Sequence, residues 1–234
     1  MARVELKTIA ELIDNKFVVP LYQRGYRWDG QQVKDLLEDI DAFMQNQKVY
    51  KNESSDKLFS QADDFYCLQP LAVKEIVKSK NDFLNQLPKS PNVDVLYETR
   101  KAIDNSICWE VIDGQQRLTT IFIILHYLKV PQCFDIEFDR WKNVSGTGKG
   151  EENLADVVSE VAKKIEGPNG NNDEDQDKGS IDWWHISTTY KEIIKFFDKK
   201  SDDEKSKFRD TLLNKVQFIW DESDEEDPGS RSPC

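Results

Sequence analysis

The sequence predicts an α+β fold, with a small mixed sheet and flanking helices over residues 1–145 and a mainly helical extension over 146–220. Three observations carry this. Phe17-Val18-Val19, Val111-Ile112 and Val216–Trp220 are short apolar runs rich in β-branched and aromatic residues, which suit buried strands. Between them the apolar spacing turns helical, most clearly at Leu118, Ile121, Phe122, Leu125 and Leu128. After Gly150 the periodic stretches are helical until Val216. The acidic run Asp221–Asp227 and the ending Pro228–Cys234 lack core-forming residues and read as a disordered tail, residues 221–234.

In order along the chain, Thr8-Ile9-Ala10-Glu11 is a capping box, with Thr8 as N-cap and Glu11 reaching back. It starts a short helix that buries Ile9, Leu12 and Ile13. Phe17–Val19 is a strand ended by Pro20. Asp29 caps a second helix with Val33, Leu36, Leu37, Ile40, Phe43 and Met44 on one face. Residues 46–64 are polar and predict a loop. Phe65–Val73 reads as a strand in which Pro70, lacking an N–H, marks an edge or a bulge. Residues 78–105, with Pro88 and Pro91, look like an insertion, and Cys108–Ile112 is the next strand. Cys133–Trp141 alternates, with Phe134, Ile136 and Phe138 inward and Asp135, Glu137 and Asp139 outward. That alternation accounts for the three acids without a metal. The glycine-rich stretches 143–150 and 167–179 predict mobile loops. Leu154–Ile165 can form a helix, and Ile186, Tyr190, Ile193, Ile194 and Phe197 mark the face of another. Phe208 and Leu212 continue helical spacing to Lys215.

Composition narrows the function. The 234 residues are 38% hydrophobic and 32% charged, enough for a core in a soluble protein. No signal-peptide pattern or bilayer-length apolar run occurs, so the expected location is cytoplasmic, with no membrane partner. Cys67, Cys108, Cys133 and Cys234 are widely spaced and contain no C-x-x-C pair, in keeping with a reducing compartment. The net charge of −12 is uneven: residues 150–234 hold 22 acids and 12 bases, residues 1–149 hold 22 acids and 20 bases. Such acidity disfavours DNA binding by bulk charge but leaves room for a local basic groove. No P-loop, no G-x-G-x-x-G after a strand and no G-x-S-x-G elbow is present. The two histidines, His126 and His185, read as structural, without the neighbours that metal or acid–base work requires.

The stretch richest in chemistry is Trp109–Leu125, which reads as strand, tight turn and helix. Asp113 stands at the expected N-cap position, its carboxylate able to accept from the N–H of Gln115 or Gln116. Gly114, Gln115, Gln116 and Arg117 then fill a first turn that has free N–H groups and the positive end of the helix dipole. A phosphate fits there, with Arg117 supplying a fork of donors. An ordinary strand-to-helix turn with a surface arginine would show the same local pattern. Tyr22–Trp28 mixes aromatics with Gln23, Arg24 and Arg27. It suits a binding loop in which rings stack on a base and guanidinium groups grip phosphate, although buried aromatics with solvated arginines fit equally.

Val111-Ile112-Asp113-Gly114-Gln115-Gln116-Arg117-Leu118-Thr119-Thr120 resembles a signature of the GmrSD-type restriction endonucleases, in their N-terminal ParB/sulfiredoxin-like domain. Val19–Trp28 resembles the family's other signature, and the likeness covers Thr8–Trp141 well and runs more loosely to Trp220. The family has a glycine-containing strand where this chain has Gln69-Pro70, a departure that bears on local backbone geometry. The resemblance implies a ParB/sulfiredoxin-like domain over 1–145 that binds, and hydrolyses, a nucleoside triphosphate with Mg²⁺ to control cleavage of modified DNA by a nuclease domain or subunit absent from this chain. By the same resemblance Asp113 would cap the turn or hold Mg²⁺, Gln115 or Gln116 would orient a water, and Arg117 would stabilise the transferred phosphoryl group. Tyr22, Gln23, Arg24 and Tyr26 would form the facing wall, and Gly114 and Thr119 would join Arg117 in nucleotide binding. The family continues into more helices and often a nuclease domain, so a fragment or a short form is expected. The alternative function is a DNA-binding or adaptor module without turnover that assembles with a separate nuclease, Arg24, Arg27 and Arg117 then meeting DNA phosphates.

Overall fold

A computed structural model describes residues 3–53, 64–77, 107–142, 153–167 and 181–223. Its strands are β1 (Arg3–Thr8), β2 (Lys16–Val19), β3 (Tyr66–Val77), β4 (Ile107–Asp113), β5 (Asp135–Phe138) and β6 (Val216–Glu222). Its helices are α1 (Ile9–Leu12), α2 (Gly30–Glu53), α3 (Gln115–Tyr127), α4 (Asp139–Lys142), α5 (Leu154–Glu166), α6 (Ile181–Phe197) and α7 (Asp202–Lys215). The strands form one mixed sheet in the order β1-β6-β3-β4-β2-β5. β2 runs parallel to both its neighbours, β4 and β5. β3 is antiparallel to β4 and parallel to β6, and β1 is antiparallel to β6. The expected α+β class with a mixed sheet and a late helical stretch is what the chain adopts.

Local chemistry explains many boundaries. Thr8 and Glu11 form the capping box that starts α1. Ser201 and Glu204 form a second one at α7, and Asn153 caps α5. Asp29 Oδ1 accepts from the N–H of Gln31 and Gln32 at 2.9 and 3.3 Å, which opens α2. One hydrophobic cluster runs from Ile9 to Trp220 and joins the sheet to α1, α2, α3, α5, α6 and α7. Trp220 is fully buried in it, 4.9 Å from the Trp109 ring at 83°, with Lys7 Nζ 3.8 Å above its ring centre.

The structure corrects several expectations. Residues 46–53 continue α2, whose spacing needed no break at Asn46. Of the two settings expected for Pro70, the bulge holds and the edge does not: β3 lies between β6 and β4, and the register shifts between Leu68 and Leu71. β3 also runs to Val77, and β5 ends at Phe138 because α4 begins at Asp139. Ile13 follows α1 and is only partly buried. Asp221 and Glu222 belong to β6, paired with Val4 and Arg3, and are not tail. β1 was not anticipated at all. Asp113 is not the N-cap of α3; it ends β4, and the cap is Gly114, which makes no side-chain bond. α3 is buried on more than one face, Ile123 and Ile124 as fully as Ile121 and Leu125, because it packs between the sheet and α5 and α6. The predicted insertion 78–105, the loops 143–150 and 168–179 and the tail beyond Ser223 lie outside the described residues.

Candidate functional site

Gly114 sets the geometry of the predicted turn. Its φ of 91° is left-handed, which lets the chain leave β4 and enter α3 with Gly114 as the single connecting residue. The turn is crowded: a Cβ on Gly114 would stand 2.9 Å from the Pro70 carbonyl oxygen and 3.1 Å from Leu71 Cα. The N–H groups of the first turn of α3 are unpaired by helix geometry. They sit at the carboxyl end of β4, beside the carboxyl end of its parallel neighbour β2.

The chain leaving β2 folds over this turn. Gln23 Nε2 donates to the Ile112 carbonyl at 2.6 Å, Gln115 Nε2 to the Arg24 carbonyl at 2.5 Å, and Gln116 Nε2 to the Gly25 carbonyl at 3.0 Å. The Arg27 N–H donates to Gln116 Oε1 at 2.7 Å. The two predicted motifs therefore meet, joined side chain to backbone across 91 positions of sequence. Both glutamines are buried, Gln115 at 5% and Gln116 at 8% exposure. Gln116 uses both ends of its amide on the loop, whereas Gln115 Oε1 is buried with no partner.

Arg117 turns toward β3. Its Nη1 donates to Gln69 Oε1 at 2.5 Å and its Nη2 to the Pro70 carbonyl at 3.1 Å, while Nε is buried without a partner. Desolvation pulls its pKa down and nearby Asp113 opposes that, yet a guanidinium stays charged. Asp113 itself is exposed at the end of β4. Arg24 is exposed, and among the described residues its guanidinium has no hydrogen-bond or ion-pair partner. Tyr22 is 69% exposed, its hydroxyl donating to Glu110 at 2.7 Å. Tyr26 and Thr119 are each 1% exposed and face the interior. The Tyr26 hydroxyl shares hydrogen bonds with Thr120 and Thr189 at 2.7 and 2.9 Å, and burial pushes its pKa far above the usual phenol value.

Sequence reasoning missed several residues that fix this loop. Arg140 Nη2 donates to the Gln23 carbonyl at 2.7 Å. Asp182, 2% exposed, forms an ion pair with Arg27 and accepts from Trp141 Nε1 at 2.9 Å. Gln69 stood out in the sequence only for its effect on the backbone of β3, and its bond to Arg117 was not foreseen. For Asp182 the one available signal was an acid set in the aromatic run Ile181-Asp182-Trp183-Trp184, and it says nothing of the partner. His126 and His185 make structural bonds, to Ser159 at 3.1 Å and to the Trp28 carbonyl at 3.0 Å. No described helix is long and apolar enough to cross a membrane, and among the described residues no three His, Cys, Asp or Glu group to hold a metal.

What the arrangement offers is a strand end, a glycine turn and a helix start whose N–H groups have no partner within the helix. Arg117 is tethered beside it and Arg24 stands exposed on the loop that covers it. No curated protein matches the chain. The family model for the GmrSD restriction endonuclease N-terminal domain matches residues 6–230, nearly the whole length. The chain therefore belongs to the GmrSD restriction endonuclease family, in the part that forms its N-terminal domain.

Proposed function

We propose that the turn Gly114–Arg117 holds the phosphates of a nucleoside triphosphate, and that this domain uses the nucleotide to regulate a modification-dependent restriction system directed against phage DNA. The observation that supports it best is the Gly114 turn: a left-handed glycine brings the unpaired N–H groups of α3 to the mouth of two parallel strands. Helix starts at the carboxyl ends of parallel strands are anion sites by geometry and dipole. Arg117, held beside the turn, and Arg24, exposed on the covering loop, can supply charge, and the exposed Tyr22 ring gives a base a surface to stack on. Asp113 is an exposed carboxylate at the strand end, which suits Mg²⁺ bound by one protein ligand plus substrate phosphates. When bound, the ion would neutralise phosphate charge. Among the glutamines the roles divide: Gln116 is committed to the loop, and Gln115 Oε1 is the acceptor left for a water or a ligand N–H. The nuclease that such a domain would control is a separate domain or subunit.

Calorimetric titration of the purified chain with each NTP and Mg²⁺, beside phosphate release with and without DNA, tests the reading. Arg117→Ala should weaken NTP binding by about 1.5–3 kcal/mol, the range for hydrogen bonds to a charged group. Unchanged NTP affinity in that variant overturns the site. If the variant instead loses only DNA affinity, with a shallower salt dependence, the domain is a DNA adaptor.

A further inference from the structure

The segment Arg24–Arg27 is gripped from two sides. On one side stand the glutamines of α3, Gln115 on the Arg24 carbonyl and Gln116 on the Gly25 carbonyl and the Arg27 N–H. On the other stands Asp182, in the first turn of α6. Its buried carboxylate pairs with the Arg27 guanidinium, accepts from Trp141, and lies so close to Gly25 that a Cβ there would fall on Oδ1.

We infer that Asp182 is a positioning residue for the site: by fixing Gly25 and Arg27 it sets the backbone groups that Gln116 holds, and so sets the loop bearing Arg24 against the first turn of α3. The contacts close a ring. Asp182 holds the Arg27 side chain, the Arg27 N–H meets Gln116 Oε1, Gln116 Nε2 meets the Gly25 carbonyl, and Gly25 packs on Asp182. A closed ring of short contacts has few alternative geometries. A buried ion pair is a weak stabiliser compared with a well-packed apolar pair, but it is directional, and breaking it strands a charge. Gly25 is required by the same ring, since any other residue would displace the carboxylate.

The functional consequence rests on the nucleotide reading above; the geometric claim does not. The test compares Asp182→Asn, which keeps the shape and removes the charge, with Asp182→Ala and with Leu212→Ala, a core truncation in α7 outside the ring. The readouts are the Gln116 side-chain amide and Arg27 backbone amide resonances, together with NTP affinity measured below each variant's melting temperature. Asp182→Asn should move both resonances and raise the NTP Kd by about tenfold or more, since small misplacements of ligating groups are felt on that scale. Leu212→Ala should lower the melting temperature but leave the resonances and Kd in place. If Asp182→Ala does not fold, Asp182→Asn decides alone. Unmoved Gln116 and Arg27 resonances in Asp182→Asn overturn the inference, as does an equal rise in Kd in Leu212→Ala. If the wild-type chain binds no NTP, the nucleotide reading falls and the resonances still judge the positioning role.

Discussion

Gly114→Ala should be among the most damaging single-methyl additions in this chain, and its cost can be worked from two contributions. The backbone there has φ 91°, and an L-residue held left-handed costs about 1–2 kcal/mol. The added Cβ would also stand 2.9 Å from the Pro70 oxygen and 3.1 Å from Leu71 Cα. Both are backbone atoms of β3, a strand paired on both sides, so neither can swing aside as a side-chain end would. Forcing a methyl into such a place costs about 1–3 kcal/mol. The smaller entropy of the unfolded alanine chain gives back about 0.4–1 kcal/mol. The net is a loss of about 1–4.5 kcal/mol, and at about 2–4 °C per kcal/mol for a chain of this size the melting temperature should fall by roughly 2–18 °C. Differential scanning calorimetry with parallel urea titration measures it. Gly114→Asn dissects the two contributions: asparagine tolerates the left-handed region but carries the same Cβ, so it should recover only about 1 kcal/mol. An alanine variant melting within about 2 °C of the wild type would refute the reasoning. Full recovery by asparagine would show that the contact with β3 is not what excludes a side chain.

Tyr26→Phe should cost about 1–3 kcal/mol in urea unfolding, because it leaves the buried Thr189 hydroxyl short of its partner while Thr120 keeps the Gln116 carbonyl; a loss below about 0.5 kcal/mol would contradict that accounting. Stability should decline as pH falls below the ordinary histidine range. Desolvation lowers the His126 pKa against a smaller opposing effect of Glu166, so the fold prefers the neutral ring and its contribution, complete above about 6.5, is lost as protonation sets in. His126→Gln should flatten the melting temperature between pH 7 and 5, and parallel curves would exclude this origin. Of the described thiols, the exposed Cys67 should react first with a disulfide reagent at pH 8, and partly buried Cys133 should lag because burial raises its pKa to about 12; peptide mapping showing Cys133 modified first would sink this.

Signals that act over three or four residues were legible in the sequence. The Thr8–Glu11 box, the Asp29 cap, the alternation of Phe134, Ile136 and Phe138 and the apolar face of α6 all appear where the pattern put them. What failed depended on partners far away in sequence. Arg3–Thr8 alternates charged and apolar residues, but it becomes a strand because β6, more than 200 positions later, offers it a ladder. Asp113 has the right chemistry for a cap. It loses the position because β4 continues through it to pair with Ala72, leaving the turn to Gly114. The two glutamines were visible as unusual polarity in a first helical turn, yet their partners, the backbone groups of Arg24, Gly25 and Arg27, could not be read from local pattern. Asp182 is the extreme case, an acid whose partners Arg27 and Trp141 lie 155 and 41 positions away.

Gln69-Pro70 in β3 also bears on how Arg117 would meet a phosphate in the proposed site. Proline cannot donate to a ladder, and the strand answers with the register shift after Leu68. There the Pro70 carbonyl accepts from Arg117 Nη2, and the Gln69 side chain accepts from Nη1. The guanidinium is thus oriented before any ligand arrives, which lowers the side-chain entropy lost on binding. The same bonds also compete with the ligand. A guanidinium has five N–H donors, and these two contacts leave N–H groups of Nη1 and Nη2 for an anion, while Nε is buried. If Arg117 holds phosphate as proposed, its affinity would be the difference between the new bonds and any that must be released, so Gln69→Ala should act oppositely to Arg117→Ala on the enthalpy of binding. It removes a competitor for Nη1, and it also loosens the arginine. A more favourable enthalpy with a less favourable entropy is the signature of that exchange, and a Gln69→Ala titration indistinguishable from the wild type in both would mean that Arg117 does not contact the nucleotide through Nη1.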